Sequence, residues 1–211
     1  MSLANLRNDY TRGALLEAEA PADPLDLFQR WFAEAQAAQV PEPNAMTLAT
    51  VDASGQPTAR IMLLKGLEDG RFVFFSNYES RKGRELAAQP RACLLFFWAA
   101  LERQVRIEGG VHRIDAAASA AYFSIRPRAS RIGAWASPQS SVIDSRETLD
   151  RRYAECESRF AGTEPPCPSQ WGGYALAPEQ IEFWQGRASR LHDRLRYSKA
   201  ESLWRRERLA P

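Results

Sequence analysis

Cysteine is scarce in this chain of 211 residues, and Cys93, Cys156 and Cys167 are odd in number, far apart and in no metal-ligand spacing. A disulfide-stapled scaffold and a structural zinc site are therefore excluded, and reduced thiols in a cytoplasmic setting with no bound metal are expected. Long apolar stretches are also missing. The longest run, Ala92 to Leu101, is too short to span a bilayer, and Met1 to Gly13 has no apolar region after its charges, so neither a membrane segment nor a signal peptide is expected. Gly-x-Gly-x-x-Gly and P-loop spacings occur nowhere, which removes support for a dinucleotide-binding Rossmann enzyme or a P-loop NTPase. Lysine is nearly absent. Lys65, Lys82 and Lys199 stand against 25 arginines, and only two histidines occur, of which His112 sits in an ordinary strand pattern and is assigned no role.

What is present suits one globular domain, with 45% apolar and 26% charged residues. Residues 1–20 read as a loose N-terminal arm and 21–211 as a single domain. Asp23-Pro24 followed by Leu25, Phe28, Trp31, Phe32 and Ala35 is a capped amphipathic helix that ends near Gln39. The period then turns strand-like through Met46–Val51, Pro57–Lys65 and Arg71–Ser76. A short helix over Ser80–Gln89 follows, then strands over Ala92–Trp98 and Arg103–Ile114, the second interrupted by a bulge or turn at Gly109-Gly110. Helices are expected over Asp115–Ile125 and Asp144–Phe160, a Pro-rich loop over Gly162–Gly173, and closing strands over Ile181–Trp184, Leu191–Tyr197 and Leu203–Leu209. Strands in hairpin order with inserted helices predict a mainly β fold, an antiparallel barrel or sandwich with peripheral helices.

Three clusters carry candidate chemistry. Ser80 caps a helix whose first turn holds Arg81, Lys82 and Arg84; cations there oppose the helix dipole unless an anion is bound, while the plainer reading is a solvated basic turn. Tyr122 and Arg126, four apart, share a helix face just before Pro127, and with Ser130 they form a candidate phosphate clamp, the alternative being a surface Tyr packed on an Arg stem. If Arg190–Arg196 is a strand, Arg190, His192, Arg194 and Arg196 line one face and repel unless something negative faces them. For His192 a structural hydrogen-bonding role is the competing reading. Trp98, Trp135, Trp171 and Trp184 sit near strand ends or Gly-rich loops, mostly as core, with Trp184 immediately before the basic strand.

Taken together, the segments Leu6-Arg-Asn-Asp-Tyr-Thr11, Pro21-Ala-Asp-Pro24, Arg60-Ile-Met-Leu-Leu-Lys65, Ser80-Arg-Lys82, Leu101-Glu-Arg-Gln104, Arg126-Pro-Arg128, Ile132-Gly-Ala-Trp135, Gln139-Ser140-Ser141, Gln180-Ile-Glu-Phe-Trp-Gln-Gly186, Arg190-Leu-His-Asp-Arg194 and Arg208-Leu-Ala-Pro211 cover nearly the whole chain. In that order they resemble the pyridoxine/pyridoxamine 5′-phosphate oxidase family. The resemblance implies an antiparallel FMN-binding split β-barrel, active as a homodimer with FMN at the subunit interface. By position, Arg60, Arg81, Lys82, Gln139 and Ser140 would meet the FMN phosphate and ribityl chain. Gln104, Trp184 and Arg194 would lie at the flavin ring or its edge, and Lys65 near both ligands. Lys65, Tyr122, Arg126 and Ser130 would hold the substrate phosphate. Arg190 and His192 would lie over the pyridine ring as the catalytic pair, and Arg7 and Tyr10 of the arm would close on it as a lid. Phe75-Ser76 stands where the family often has Tyr-Thr beside the flavin, which removes one phenol contact while Ser76 keeps a hydroxyl. A regular strand from Arg60 to Lys65 also puts these two residues on opposite faces unless a bulge intervenes.

The activity so implied is oxidation of the two pyridine phosphates to pyridoxal 5′-phosphate, with dioxygen as acceptor, hydrogen peroxide as product and ammonia released from the amine. Two rivals stand beside it. A related FMN split-barrel reductase shares the fold. An arginine-rich nucleic-acid module is the more distant reading, because seven arginines lie between Arg187 and Arg208 against three acidic residues; no nucleic-acid motif accompanies them.

Overall fold

The computed structural model describes residues 9–201 and 203–211. Helix α1 (Pro24–Ala37) begins where the Asp23 carboxylate accepts the Leu25 N–H at 2.8 Å, and Pro24 supplies a helical φ at a position that needs no donor. Its buried stripe, Leu27, Phe28, Trp31 and Ala35, packs on a large curled sheet. Phe28 meets Phe72 and Phe96 edge-on at 5.0 and 5.2 Å, and Trp31 meets Phe183 at 5.3 Å. Each such side chain contributes about 1.5–3 kcal/mol on burial.

The sheet comprises β1 (Ala45–Val51), β2 (Pro57–Leu63), β3 (Gly66–Glu68), β4 (Arg71–Asn77), β5 (Arg91–Trp98), β6 (Arg103–Arg113), β7 (Trp171–Gln185), β8 (Asp193–Ala200) and β9 (Leu203–Arg208). Pairing is antiparallel throughout, in the order β2-β1-β5-β6-β7-β4-β3, with β8 also on β7 and β9 on β8. Helices α2 (Arg81–Ala88), α3 (Ala116–Ser124), α4 (Arg128–Ala136) and α5 (Arg146–Arg159) lie between strands. The mainly β class with peripheral helices is as expected from the alternating pattern.

Strand β7 organises this arrangement. Its first half, Trp171 to Leu176, pairs with β4, its second half, Gln180 to Gln185, pairs with β8, and β6 follows it along the other edge. The Gly109-Gly110 interruption is a bulge: Glu108 faces Gln180 while Gly109 faces Pro178, so Glu179 is left over. A Cβ on Gly109 would stand 1.9 Å from the Ala177 carbonyl oxygen, so only glycine lets the two backbones approach there.

Several expected boundaries differ. The closing strand expected over Ile181–Trp184 is the end of β7, which runs back through Gly172-Gly173 into the expected loop. Buried on nearly every residue, it shows no alternation that would mark it as a strand. The helix expected to end before Pro127 does so, as α3 closes at Ser124 and leaves Arg126 beyond it, but Pro127 then caps a further helix, α4, from Arg128. Strand β8 starts at Asp193, so Arg190 and His192 lie in the preceding loop and do not share a strand face with Arg194 and Arg196. Leu191 is 69% exposed and belongs to no core face, unlike Leu195 and Tyr197. Lys65 falls beyond β2, where the chain leaves β1 and the Lys65 N–H donates to Val73 O at 2.8 Å, so its direction is not tied to Arg60 by strand alternation.

Substituting Gly109→Ala is expected to cost about 1–3 kcal/mol through overpacking against backbone. Gly133→Ala, in α4 with no atom within 4 Å of the added carbon, should instead gain about 0.5–1 kcal/mol from helix propensity. Urea denaturation of the two variants reads the opposite signs.

Candidate active site

A cavity of about 410 Å³ opens between the end of β2, β4, the start of α2, α3, α4 and the beginning of β7. Its charged floor is Lys82. The side chain is 8% exposed, and its ammonium donates to Ser76 Oγ at 3.2 Å, Ser80 Oγ at 3.4 Å and Gln139 Oε1 at 3.1 Å, all neutral oxygens. Burial, reinforced by the Arg60 charge, lowers the Lys82 pKa from the usual lysine range. Ser80 caps α2 by accepting the Gly83 N–H, and a Cβ on Gly83 would lie 2.1 Å from Tyr78 O, so this glycine allows the first turn to sit tightly on the β4 end.

The opposite wall carries a second cation. Arg126 follows α3, lies 4.6 Å above the Trp171 ring, and has a buried Nη1 with no hydrogen-bond partner. Burial lowers its pKa as well. Phe75, Tyr122 and Trp171 form a nearly parallel aromatic bank beside it: Phe75 stacks on Tyr122 at 3.9 Å and 13°, and on Trp171 at 5.4 Å and 11°. Lys65 and Ser130 complete the polar lining. The cavity therefore brings together Lys65, Phe75, Ser76, Lys82, Tyr122, Arg126, Ser130 and Gln139 from the sequence-derived candidates. Two cations there meet no carboxylate, an arrangement that suits an anionic ligand with a flat ring.

Arg60 and Arg81 are placed differently. Arg60 donates to Leu48 O, Thr50 Oγ1, Thr58 Oγ1 and Glu85 Oε2, and Arg81 Nε donates to Glu85 Oε1 at 2.9 Å while its other end reaches Asp52. Neither lines the cavity, and both brace α2 through the 4% exposed Glu85. Burial raises the Glu85 pKa, but hydrogen bonds from Thr50, Thr58, Arg81 and Arg60 outweigh it and bring it down to about 2. Ser140 follows Gln139 at the surface with φ of 70° and does not line the cavity either.

The remaining candidates gather elsewhere. Gln104 and Arg194 flank Trp184 across β6–β7 and β7–β8. The His192 ring lies 4.6 Å from Trp184, and Tyr10 of the arm stands edge-on to both, at 5.6 Å from Trp184 and 5.7 Å from His192. The Arg187 N–H donates to His192 Nδ1 at 3.1 Å, so the neutral ring carries its proton on Nε2 and offers a donor. Arg190 is exposed, and Ser189 and Arg190 adopt successive left-handed conformations, φ 57° and 60°, rare for non-glycine residues and held here just before His192. Arg7 lies outside the described residues. Trp171 and Trp184 sit thirteen positions apart on β7, on the order of 40 Å in a straight strand. One protomer thus carries two clusters at opposite ends of one strand.

The C-terminal arginines are largely neutralised within the protein. Arg194 pairs with Glu182, Arg196 and Arg205 with Glu207, Arg187 with Asp193, and Arg208 with Glu17 and Asp193. The repulsion foreseen along the basic face is thus relieved by carboxylates, and the case for a nucleic-acid surface loses its basis.

Comparison with known proteins agrees with this geometry. Residues 32–160 match the family described as pyridoxamine 5′-phosphate oxidase, and residues 171–211 match the pyridoxine 5′-phosphate oxidase C-terminal dimerisation region. The chain belongs to the pyridoxine/pyridoxamine 5′-phosphate oxidase family. It is 60% identical to the pyridoxine/pyridoxamine 5′-phosphate oxidase of Pseudomonas paraeruginosa (strain DSM 24068 / PA7) over all of this chain and 99% of that one. It is 59% identical to that of Pseudomonas putida (strain GB-1) over the same shares. Among solved structures it is similar to PhzG from Burkholderia lata 383 in complex with tetrahydrophenazine-1-carboxylic acid, with a TM-score of 0.88, 32% identity, and coverage of 94% of this chain and 98% of that one. A pyridoxamine 5′-phosphate oxidase-related, FMN-binding protein from Nostoc punctiforme PCC 73102 shares the fold, with a TM-score of 0.70, 19% identity and coverage of 87% and 97%. The architecture is accordingly the split barrel of this oxidoreductase family.

Asn77, Ser137 and Trp171 also line the cavity. Trp171 stood out only as one of several tryptophans, and Asn77 and Ser137 carry no sequence signal, since only the meeting of β4 with the segment after α4 makes them neighbours. No group of three or more His, Cys, Asp or Glu side chains that could hold a metal occurs among the described residues. No described helix is long and apolar enough to cross a membrane.

The depressed Glu85 pKa makes its contribution to stability pH-dependent. That contribution is complete above the usual value of 4.5 and is lost as pH falls through about 2. Glu85→Gln should therefore be less stable than the parent at pH 7, with the gap closing between pH 4.5 and about 2 when both are denatured by urea across that range.

Proposed function

We propose that this chain binds FMN and oxidises pyridoxine 5′-phosphate and pyridoxamine 5′-phosphate to pyridoxal 5′-phosphate. The observation that carries the reading is the pair of buried or half-buried cations, Lys82 and Arg126, in one cavity with an aromatic bank and no carboxylate against either. With Lys65 also in the lining, the cationic groups suit phosphorylated ligands. The unpartnered Arg126 Nη1 and the neutral hydrogen-bond acceptors around Lys82 support this reading, since both groups keep donor capacity for a phosphate.

In this reading Lys82, Gln139 and Ser140 hold the FMN phosphate and ribityl chain, with Arg60 and Arg81 bracing α2 and adding positive potential. Phe75 and Ser76 lie beside the flavin, and Gln104, Trp184 and Arg194 contact its ring or edge. Tyr122, Arg126, Ser130 and Lys65 grip the substrate phosphate. Arg190 and His192 orient the pyridine ring as the catalytic pair, and Arg7 and Tyr10 close over it. Because Trp184 and His192 lie at the far end of β7 from the cavity, two copies assemble as a homodimer so that each cavity receives the second cluster from the partner subunit, which places FMN at the interface. The dimerisation-region match over residues 171–211 supports this assembly.

FMN held there would supply the two-electron redox chemistry for oxidation at the substrate 4′ carbon, with dioxygen as the final acceptor and hydrogen peroxide as its product. The chain provides orientation and charge. The Tyr122–Arg126 clamp fixes the phosphate, Arg190 stabilises charge developing on the ring, and His192 presents its Nε2 proton. The alcohol substrate yields the aldehyde directly. The amine yields an imine that water hydrolyses to aldehyde and ammonia. A cytoplasmic setting accords with the unpaired cysteines.

Protein reconstituted with FMN should show a bound-flavin absorption spectrum, release peroxide with either substrate and release ammonia only with the amine; a protein that binds no flavin ends the reading. Arg190→Ala and His192→Ala are expected to retain FMN and lose turnover. Lys82→Ala should raise the FMN Kd roughly ten- to a hundredfold, the value of a lost charge-assisted hydrogen bond.

A further inference from the structure

We infer that Asp193 is a positioning residue for this reaction, whose carboxylate ties the N-terminal arm bearing Tyr10 to the loop bearing Arg190 and His192. The inference rests on the function proposed above. Asp193 opens β8 with a side chain only 14% exposed, and both its oxygens are engaged. Oδ2 accepts the Leu15 N–H at 3.0 Å and Arg187 Nη1 at 3.0 Å, while Oδ1 accepts Arg208 Nη1 at 2.7 Å. One carboxylate thus gathers the arm, the loop before β8 and the end of β9.

Each of the three donors has a second attachment that extends the clasp. Arg208 also donates to Leu15 O at 2.9 Å and grips the Glu17 carboxylate through Nε and Nη2, so the arm is held on both sides of Leu15. Arg187, which reaches Asp193 with its side chain, gives its backbone N–H to His192 Nδ1 and so sets the ring's direction and tautomer. Leu15 is 3% exposed, and on its N-terminal side the arm runs through Arg12, whose N–H donates to Glu102, to Tyr10. There the Tyr10 ring packs so closely on the loop that a Cβ on Gly186 would lie 2.7 Å from Tyr10 Cγ. Tyr10 and His192 therefore reach the same Trp184 surface from two segments whose relative placement depends on Asp193. An asparagine could not replace it: one amide oxygen would remain as acceptor, and the NH2 would face a guanidinium or an N–H.

The test uses the FMN-loaded enzyme and compares wild type, Asp193→Asn, Asp193→Glu, Arg208→Ala and the Asp193→Asn/Arg208→Ala double variant. Flavin absorbance, KM and kcat for pyridoxine 5′-phosphate, and the rate of trypsin cleavage after Arg12 are measured on each. Asp193→Asn is expected to keep its flavin, to be cleaved faster after Arg12, and to raise KM about tenfold or more, as one lost charge-assisted hydrogen bond dictates, with a smaller change in kcat. Asp193→Glu should recover part of the KM. Arg208→Ala should act in the same direction, with the double variant no worse than the more severe single one, since both cut one clasp. Should Asp193→Asn fail to fold, the 37% exposed Arg208 carries the test alone. Unchanged KM, or a raised KM with the arm still protected, overturns the inference. A wild type without oxidase activity would overturn the proposed function instead, and the cleavage rates would still judge the clasp.

Discussion

A buried ammonium surrounded only by neutral oxygens is costly, and the active-site half of the molecule is arranged around one. Removing an ion from water costs several kcal/mol even after relaxation, and three neutral acceptors return only part of that. Lys82 nevertheless lies inside because Ser76 on β4, the Ser80 cap and Gln139 after α4 each turn an oxygen toward it. Those three contacts draw a strand end, a helix start and a distant loop into one cavity wall. In the proposed reading an anionic ligand supplies the missing charge, so that the empty protein gives up some stability for binding.

The neighbouring arginines, unlike Lys82, each meet a carboxylate. Arg60 and Arg81 share Glu85, whose nearest partners are the hydroxyls of Thr50 and Thr58 at 2.5 and 2.8 Å, and this network anchors α2 to the β1–β2 hairpin. Lys82 is thereby held on a braced helix. Charge pairing thus distinguishes Arg81 from Lys82, its neighbour on α2.

Strand β7 imposes the second constraint. It is the shared edge of three other strands and carries Trp171 at one end and Trp184 at the other, so the two clusters of functional side chains cannot meet within one copy. Association of two copies follows from this separation in the proposed reading, and the arm and C-terminus then act on the far cluster through Asp193 and Arg208. The similarity to PhzG, solved with a phenazine carboxylic acid, shows one architecture accommodating a different acid. In the proposed reading substrate identity resides in side chains such as Tyr122, Arg126 and Ser130 rather than in the barrel.

Local chemistry in the sequence was enough to place α1, from Asp23-Pro24 and its apolar stripe, the Ser80 cap of α2, and the hairpin of β1 and β2, because caps, turns and periodicity act over a few residues. The nearness of Tyr122 and Arg126 was legible for the same reason, since they are four residues apart, and both line the cavity. Family resemblance supplied the rest of the candidate list. By contrast β7 was hidden by Gly172, Gly173 and Pro178, which read as loop residues until β4 and β6 pair with them, and α4 was hidden because Pro127 stops one helix as readily as it starts another. The sequence by itself determined which side chains carry charge and which short segments fold alone; only the tertiary structure decided which charges are free. The reason is that Glu182, Glu207 and Asp193 reach their arginines across paired strands and chain ends, where register rather than spacing along the chain sets who meets whom.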